Sequence, residues 1–372
     1  MRYKNYIVVA FVFALVGMFV LPGCQPDPEL EPIDTAEDGP TPYEIDIPPF
    51  FAPMDIPEDN PMTVEGIELG RHLFWEKQLS GNNEISCGSC HFPEHGFSDP
   101  AQFSTGATGM EGNRHSMALV NLGWARDYFW DSRAMTLEEQ IIDPVQDPIE
   151  MNQEWDEAVM ELQQNSLYPP MFEDAFGDEE VTQDRVTKAI AQFLRTMISA
   201  DSKFDKWRRG EVAELTQSED HGRELFITEG GSPEDVPGGQ FGADCFHCHG
   251  FGDMQFSDYL PHNNGLDSNF SDLGVGGVTN DPLDYGKFKT PTLRNIELTS
   301  PYMHDGRFET LEEVIDHYDS GGHPSETLDP FMKFEEGGLN LSDQDKADLI
   351  AFLKTLTDTS FVNDPKFSNP HD

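Results

Sequence analysis

From Asn60 onward the apolar residues of the chain recur at spacings of three and four, not two. Within residues 181–198, Val186, Ile190, Phe193, Leu194 and Met197 keep to one face of a 3.6-residue repeat, which predicts an amphipathic helix. Residues 342–356 repeat the design with Leu349, Ile350, Leu353 and Leu356, and residues 63–75 place Val64, Ile67, Leu73 and Phe74 near one side. Thr136-Leu-Glu-Glu139 and Thr310-Leu-Glu-Glu313 are capping-box patterns, a hydroxyl three residues ahead of a glutamate, and each runs into apolar residues. Alternation of period two is sparse, so the pattern predicts a mainly α protein. Long Gly/Asp/Pro stretches at 228–244 and 261–286 exceed the usual length of helix connections. Loops of that size around few helices imply a core filled by something other than side chains.

The first 58 residues break this pattern. Arg2 and Lys4 precede an apolar run over 7–21 and then Pro22-Gly23-Cys24, the layout of a secretory signal too short for a membrane span. Leu21 and Gly23 before Cys24 resemble a bacterial lipobox, which implies cleavage at residue 23 and lipid on the Cys24 thiol. The expected address is the periplasmic side of a membrane. The outer membrane is favoured because Gln25 is not an inner-membrane retention Asp. Residues 24–58, rich in Pro, Glu and Asp, read as an extended tether, with folding expected to start near Asn60. Two helical domains are expected beyond it, at 59–210 and 211–372.

Charge narrows the partners. The 372 residues carry 23 Lys and Arg against 69 Asp and Glu, a net charge of −46, which excludes a nucleic-acid binder as the default. Such a surface favours basic or neutral partners. The hydrophobic share of 37% still permits a packed core.

Four of the five cysteines repeat one pattern, Cys87-Gly-Ser-Cys90-His91 and Cys245-Phe-His-Cys248-His249. Cys-x-x-Cys-His attaches c-type haem: the thiols form thioethers with the vinyl groups and the following His becomes an iron ligand. A shared Cys₄ zinc site would not need the two His, and nothing in the flanking pattern suggests a thioredoxin-type disulfide. Two covalent haems, one per domain, are therefore expected. Gly70-Arg71-His72-Leu73-Phe74 ahead of the first motif is echoed by Gly222-Arg223-Glu224-Leu225-Phe226 ahead of the second, as in a duplicated cytochrome fold. The sixth iron ligands decide between electron transfer and peroxide chemistry, and Met254, Met303, His304, His317 and Tyr318 are the candidates near the second motif.

Phe288-Lys-Thr-Pro-Thr-Leu-Arg-Asn295, Leu298-Thr-Ser-Pro-Tyr-Met-His-Asp-Gly306, Phe129-Trp130-Asp131 and Leu137-Glu-Glu-Gln140 resemble segments of the bacterial di-haem cytochrome c peroxidases and their MauG- and MbnH-like branch. The resemblance spans roughly residues 60–357. It implies a peroxide-binding first haem, an electron-storing second haem, and Trp130 between them. Gln140 and Glu150 fall where the family places residues over the peroxide-binding iron, and a carboxylate there can move a proton between the peroxide oxygens. Thr299 and Pro301 match positions whose carbonyls hold a calcium ion between the domains, although His115 replaces the family's side-chain Asn.

Two departures separate this chain from the peroxidases of the family. The loop 104–109 lacks the His that closes the first iron before reductive activation, which implies a permanently open first haem. Tyr318 stands where those peroxidases carry the Met ligand of the second iron, the MauG-type arrangement; Met303 is the fallback. The expected function is reaction with hydrogen peroxide at the open haem, storage of oxidising equivalents across both haems, and oxidation of aromatic residues of a partner protein. The alternative is a cytochrome c peroxidase that draws electrons from a small cytochrome or cupredoxin. A non-catalytic di-haem electron carrier would require both irons closed by protein ligands. Monomer and homodimer are both compatible with the sequence.

Overall fold

The computed structural model describes residues 39–212, 214–230, 242–250, 252, 254–333 and 337–372. The expected signal segment, Cys24 and the first part of the tether lie outside these residues, as does most of the stretch 228–244. The first half holds α1 (Val64–Phe74), α2 (Leu137–Gln146), α3 (Trp155–Gln164), α4 (Tyr168–Phe176), α5 (Gln183–Arg195) and α6 (Lys203–Arg208). The second holds α7 (Gln217–Phe226), α8 (Val275–Thr279), α9 (Leu311–Ser320), α10 (Asp343–Lys354) and α11 (Thr359–Val362). Two short strands, β1 (Pro261–His262) and β2 (Phe288–Lys289), pair antiparallel with Pro261 opposite Lys289. Among the described residues no helix is long and apolar enough to cross a membrane.

Local chemistry sets the helix ends. The Thr63 hydroxyl accepts from Gly66 N–H at the start of α1, Thr182 caps α5 and Ser342 caps α10 in the same way. The periodic apolar faces then meet. Helices α1 and α5 cross where a Cβ added to Gly70 would lie 1.9 Å from the Ala189 carbonyl oxygen, and α7 and α10 cross where one on Gly222 would lie 1.9 Å from the Asp348 carbonyl oxygen. The two echoed glycines thus serve one purpose, backbone-to-backbone contact of the helix pair that frames each half.

Two cores result. One gathers Leu69, Phe74, Phe97, Ile141, Phe193 and neighbours, the other Phe204, Phe226, Phe256, Phe352, Leu356 and neighbours. The chain end does not stay with the half in which the sequence reading placed it. Phe361 and Phe367 lie in the first core against Phe97 and Phe193, and the Trp75 indole N–H donates to Phe367 O at 3.2 Å. No periodicity announces this because the tail is held by two isolated aromatic rings.

The tether also ends earlier than expected. From residue 41 the segment is bound to the body: Thr41 N–H donates to Glu65 Oε2 (2.7 Å), Tyr43 N–H to Met62 O (2.9 Å), and Trp124 Nε1 to Ala52 O (2.8 Å). Phe51 packs on Trp124 of the first half and under the Arg294 guanidinium of the second. Arg294 is fully buried and bidentate with Asp205 (2.9 Å twice), a satisfied ion pair that joins α6 to the loop before the second half's last helices.

Candidate redox sites and the residues between them

Each Cys-x-x-Cys-His begins on one turn of 3₁₀-helix and closes with a wider bond, His91 N–H to Cys87 O and His249 N–H to Cys245 O, both at 3.0 Å. The imidazoles are held alike. His91 Nδ1 lies 2.8 Å from Phe97 O and His249 Nδ1 3.1 Å from Phe256 O. A carbonyl can only accept, so Nδ1 carries the proton and Nε2 keeps its lone pair, the state of an imidazole ready to bind a metal. Burial depresses both pKa values, that of His249 to about 4, which keeps the rings neutral at pH 7. All four described cysteines are free thiols, and burial raises each of them.

Glu150 belongs to the first motif's surroundings. Its carboxylate adds to the upward push on both Cys87 and Cys90, and its own pKa is raised to about 7 by burial, with Asp147 and Asp143 adding and Arg133 opposing. Its backbone is clamped. Ala107 N–H donates to Glu150 O at 2.7 Å, and a Cβ added to Gly106 would meet Ile149 O at 2.2 Å and Glu150 O at 2.5 Å. The loop 104–109 thus carries a glycine that presses against the backbone of the acid. Gln140 lies half-buried on α2, one turn ahead of Pro144.

The second motif opens on a cavity of about 280 Å³ lined by Cys245, Cys248, His249, Met303 and Tyr318. Asn264 Nδ2 reaches Tyr318 Oη at 3.2 Å and Met303 Sδ at 3.5 Å, so both candidate ligands stand at one amide. Burial raises the Tyr318 pKa to about 12. Of the other candidates, Met254 packs in the second core and His317 Nε2 meets Asn264 O, while His304 also lines the cavity but is stacked on Phe288.

Trp130 stands where the halves meet and lines the same cavity. Its Nε1 donates to His115 O at 2.8 Å, while its own carbonyl accepts from Lys289 N–H at 2.8 Å. His115 N–H in turn donates to His304 O at 2.7 Å. Arg114 closes the junction with a fork onto Asp272 (2.7 and 2.9 Å) and a third bond to Asp131 (2.6 Å).

Comparison with known proteins decides the family. The di-haem cytochrome c peroxidase profile matches residues 64–213, and the cytochrome c profile matches residues 238–357. The methylamine utilization protein MauG of Methylophilus methylotrophus is 35% identical over 324 residues, 85% of this chain and 91% of that protein. The cytochrome c551 peroxidase of Nitrosomonas europaea is 33% identical over 303 residues, 80% of this chain and 81% of that one. The crystal structure of a MauG-like protein associated with microbial copper homeostasis superposes with a TM-score of 0.79 at 37% identity, covering 89% of this chain and all of the other. The chain belongs to the di-haem cytochrome c peroxidase family. It is a haem oxidoreductase of two cytochrome c-type domains.

The residues of this family member fit two haems: paired free thiols, an adjacent imidazole with its Nδ1 proton engaged, and a cleft beside the second pair. For the calcium expected from Thr299 and Pro301 the structure shows less: both residues line the cleft, but His115, in the Asn position, offers no oxygen of its own and has Nε2 on Ser98 Oγ (3.0 Å) and Nδ1 on Gln102 O (3.2 Å). A shared zinc site fails. Among the described residues the one close group of His, Cys, Asp and Glu ligand atoms is Glu229, Asp244 and His247, where Lys333 already pairs with both acids.

Three features escaped the reading of the sequence. Gly106 presses on Glu150, and a buried Lys289 lies beside Trp130. The third is Pro144. Tyr128-Phe-Trp-Asp-Ser-Arg133 and Thr136-Leu-Glu-Glu139 are repeated, with one common offset, by Tyr302-Met-His-Asp-Gly-Arg307 and Thr310-Leu-Glu-Glu313, and that offset sets Pro144 against Tyr318. The half that holds Glu150 thus has a side chain without a donor atom where the other half has a phenol. The structure repeats the pairing, since Tyr128 N–H bonds Ala134 O (2.8 Å) as Tyr302 N–H bonds Phe308 O (2.7 Å). The repeat was the signal that could have found it.

Proposed function

We propose that this chain is a MauG-type oxidoreductase that takes oxidising equivalents from hydrogen peroxide and passes them to aromatic side chains of a separate protein. Cys87, Cys90 and His91 would hold one haem, Cys245, Cys248 and His249 the other, with Tyr318 as a further ligand of the second. When bound, the two haems supply the redox chemistry that cleaves the O–O bond and hold the oxidising equivalents released.

The remaining tasks fall to the chain. A carboxyl whose pKa is about 7 is partly ionised at neutral pH, so Glu150 can take the proton from one peroxide oxygen on a carboxylate oxygen and return it to the other. Gln140 offers an amide donor on α2, and Pro144 offers no atom that could ligate an iron. Trp130 passes charge between the halves: its indole can lose an electron while Nε1 keeps the proton it donates to His115 O. Export to the periplasmic side with lipid on Cys24 completes this reading.

The observation that carries it is the phenol of Tyr318, half-buried in the wall of the second motif's cavity and oriented by Asn264. Phenolate donation stabilises higher oxidation states of iron relative to a thioether, which suits storage of oxidising equivalents. Met303 supports a second reading, a cytochrome c peroxidase that draws electrons from a small cytochrome or cupredoxin, because its sulfur shares the same amide. Resonance Raman spectra of the ferric holoprotein separate the two. A phenolate–iron vibration lost in Tyr318→Phe is expected; a thioether signature lost in Met303→Leu and kept in Tyr318→Phe would establish the peroxidase instead.

A further inference from the structure

We propose that Lys289 is a specificity residue that keeps charge transfer through this junction on Trp130, and off the two tyrosines beside it, by placing a buried cation over their rings. The proposal rests on the functional reading above and adds what confines the oxidation to one side chain.

Lys289 lies in β2, and its backbone N–H is bonded to Trp130 O at 2.8 Å. Its side chain, only 5% exposed, sends the ammonium over the Tyr128 ring at 5.2 Å and the Tyr259 ring at 5.3 Å from their centroids. The same ammonium donates to Asp127 O, with Asp127 Oδ1 at 3.5 Å. Both phenols are themselves buried, and Tyr128 is two residues from Trp130 in sequence. Three oxidisable rings therefore surround one strand end, and the cation faces two of them.

A ring with a cation over its face loses that attraction and gains a repulsion when an electron leaves it, and burial leaves little solvent to screen the change. Proton loss offers little relief at Tyr128, whose Oη donates to Leu122 O (3.1 Å), because a neutral carbonyl is a poor proton acceptor. An indole radical does not need to lose its proton, so Trp130 remains the favoured donor of the three. Without the cation, two tyrosines would each release one electron and one proton to hydrogen peroxide, which becomes two molecules of water.

The test uses the holoprotein at pH 7 with excess hydrogen peroxide and no other reductant, followed by digestion and mass spectrometry of the peptides bearing Tyr128, Tyr259 and Trp130. In the wild type and in Lys289→Arg the tyrosines are expected to stay unmodified. In Lys289→Met, or in Lys289→Gln if the Met variant loses haem, oxygenated or cross-linked tyrosine is expected at ten times the wild-type yield or more. Tyrosine yields within twofold of wild type in the neutral variants, or an Arg variant as susceptible as the Met variant, would overturn the proposal. Peroxide consumption is followed in parallel. Its absence in the wild type would remove the functional reading and this inference with it, whereas normal consumption with unchanged tyrosine yields removes this inference alone.

Discussion

Glu150 shows what one residue's surroundings do to its chemistry. An ordinary glutamate is ionised throughout the neutral range, but burial together with Asp147 and Asp143 lifts this one to about 7. As a proton acceptor it must be ionised, so the second-order rate of the holoprotein with peroxide should rise through about pH 7 and level off above it. Glu150→Gln should lower that rate by about 10²–10⁴-fold and flatten the profile, as stopped-flow traces across pH 5.5–9 would show. The linked stability has the opposite trend. A folded pKa raised above the unfolded value means that the protein loses stability as pH rises from the ordinary glutamate range to about 7 and stays penalised above it, so the Gln variant should gain thermal stability relative to wild type at pH 8 and not at pH 4. The two Cys-x-x-Cys-His motifs, to which haem attachment is proposed, were legible because one pentapeptide pattern occurs twice. Glu150 was legible only through family resemblance, since its environment comes from loop 104–109 and no local pattern marks it among 69 acids.

At the scale of elements, three- and four-residue spacing located α1, α5 and α10 to within three residues at each end. Which helices pair was foreshadowed by the echoed Gly-Arg-x-Leu-Phe segments, although the reason is visible only in the crossings. Gly70→Ala sets a Cβ 1.9 Å from backbone of α5, and the helices must part to admit it. A loss of about 1–3 kcal/mol and a fall in melting temperature are expected by calorimetry, and Gly222→Ala should behave alike in the second half. The strap at 41–58 and the tail with Phe361 and Phe367 were not legible. Neither has periodicity, because each is held by a few rings and backbone bonds to distant segments, and such contacts leave no regular mark on the sequence. The long stretch 261–286 is likewise shaped by partners: it carries β1 and α8 and is tied back through Asp272 to Arg114.

Across the whole molecule, the junction and the surface charge pull in different directions. The two halves exchange backbone bonds in matching pairs, Lys289 to Trp130 and His115 to His304, so the oxidisable indole is fixed by the same contacts that join them. Any protein that receives oxidising equivalents from this junction must approach a chain of net charge −46, where like charge is repelled over about 8–10 Å at physiological salt. Hydrogen peroxide is neutral and feels none of this. Its rate with the holoprotein should therefore stay constant between 20 and 300 mM salt, on the order of the Debye range over which surface charge is screened. The rate with a basic cytochrome c as electron donor should fall steeply over the same interval, and the rate with an acidic cupredoxin should rise. Opposite salt slopes for the two proteins, with a flat slope for peroxide, would show that charge selects the partner and has no part in the chemistry at the first site. A flat slope for the basic protein would mean that docking depends on apolar contact instead.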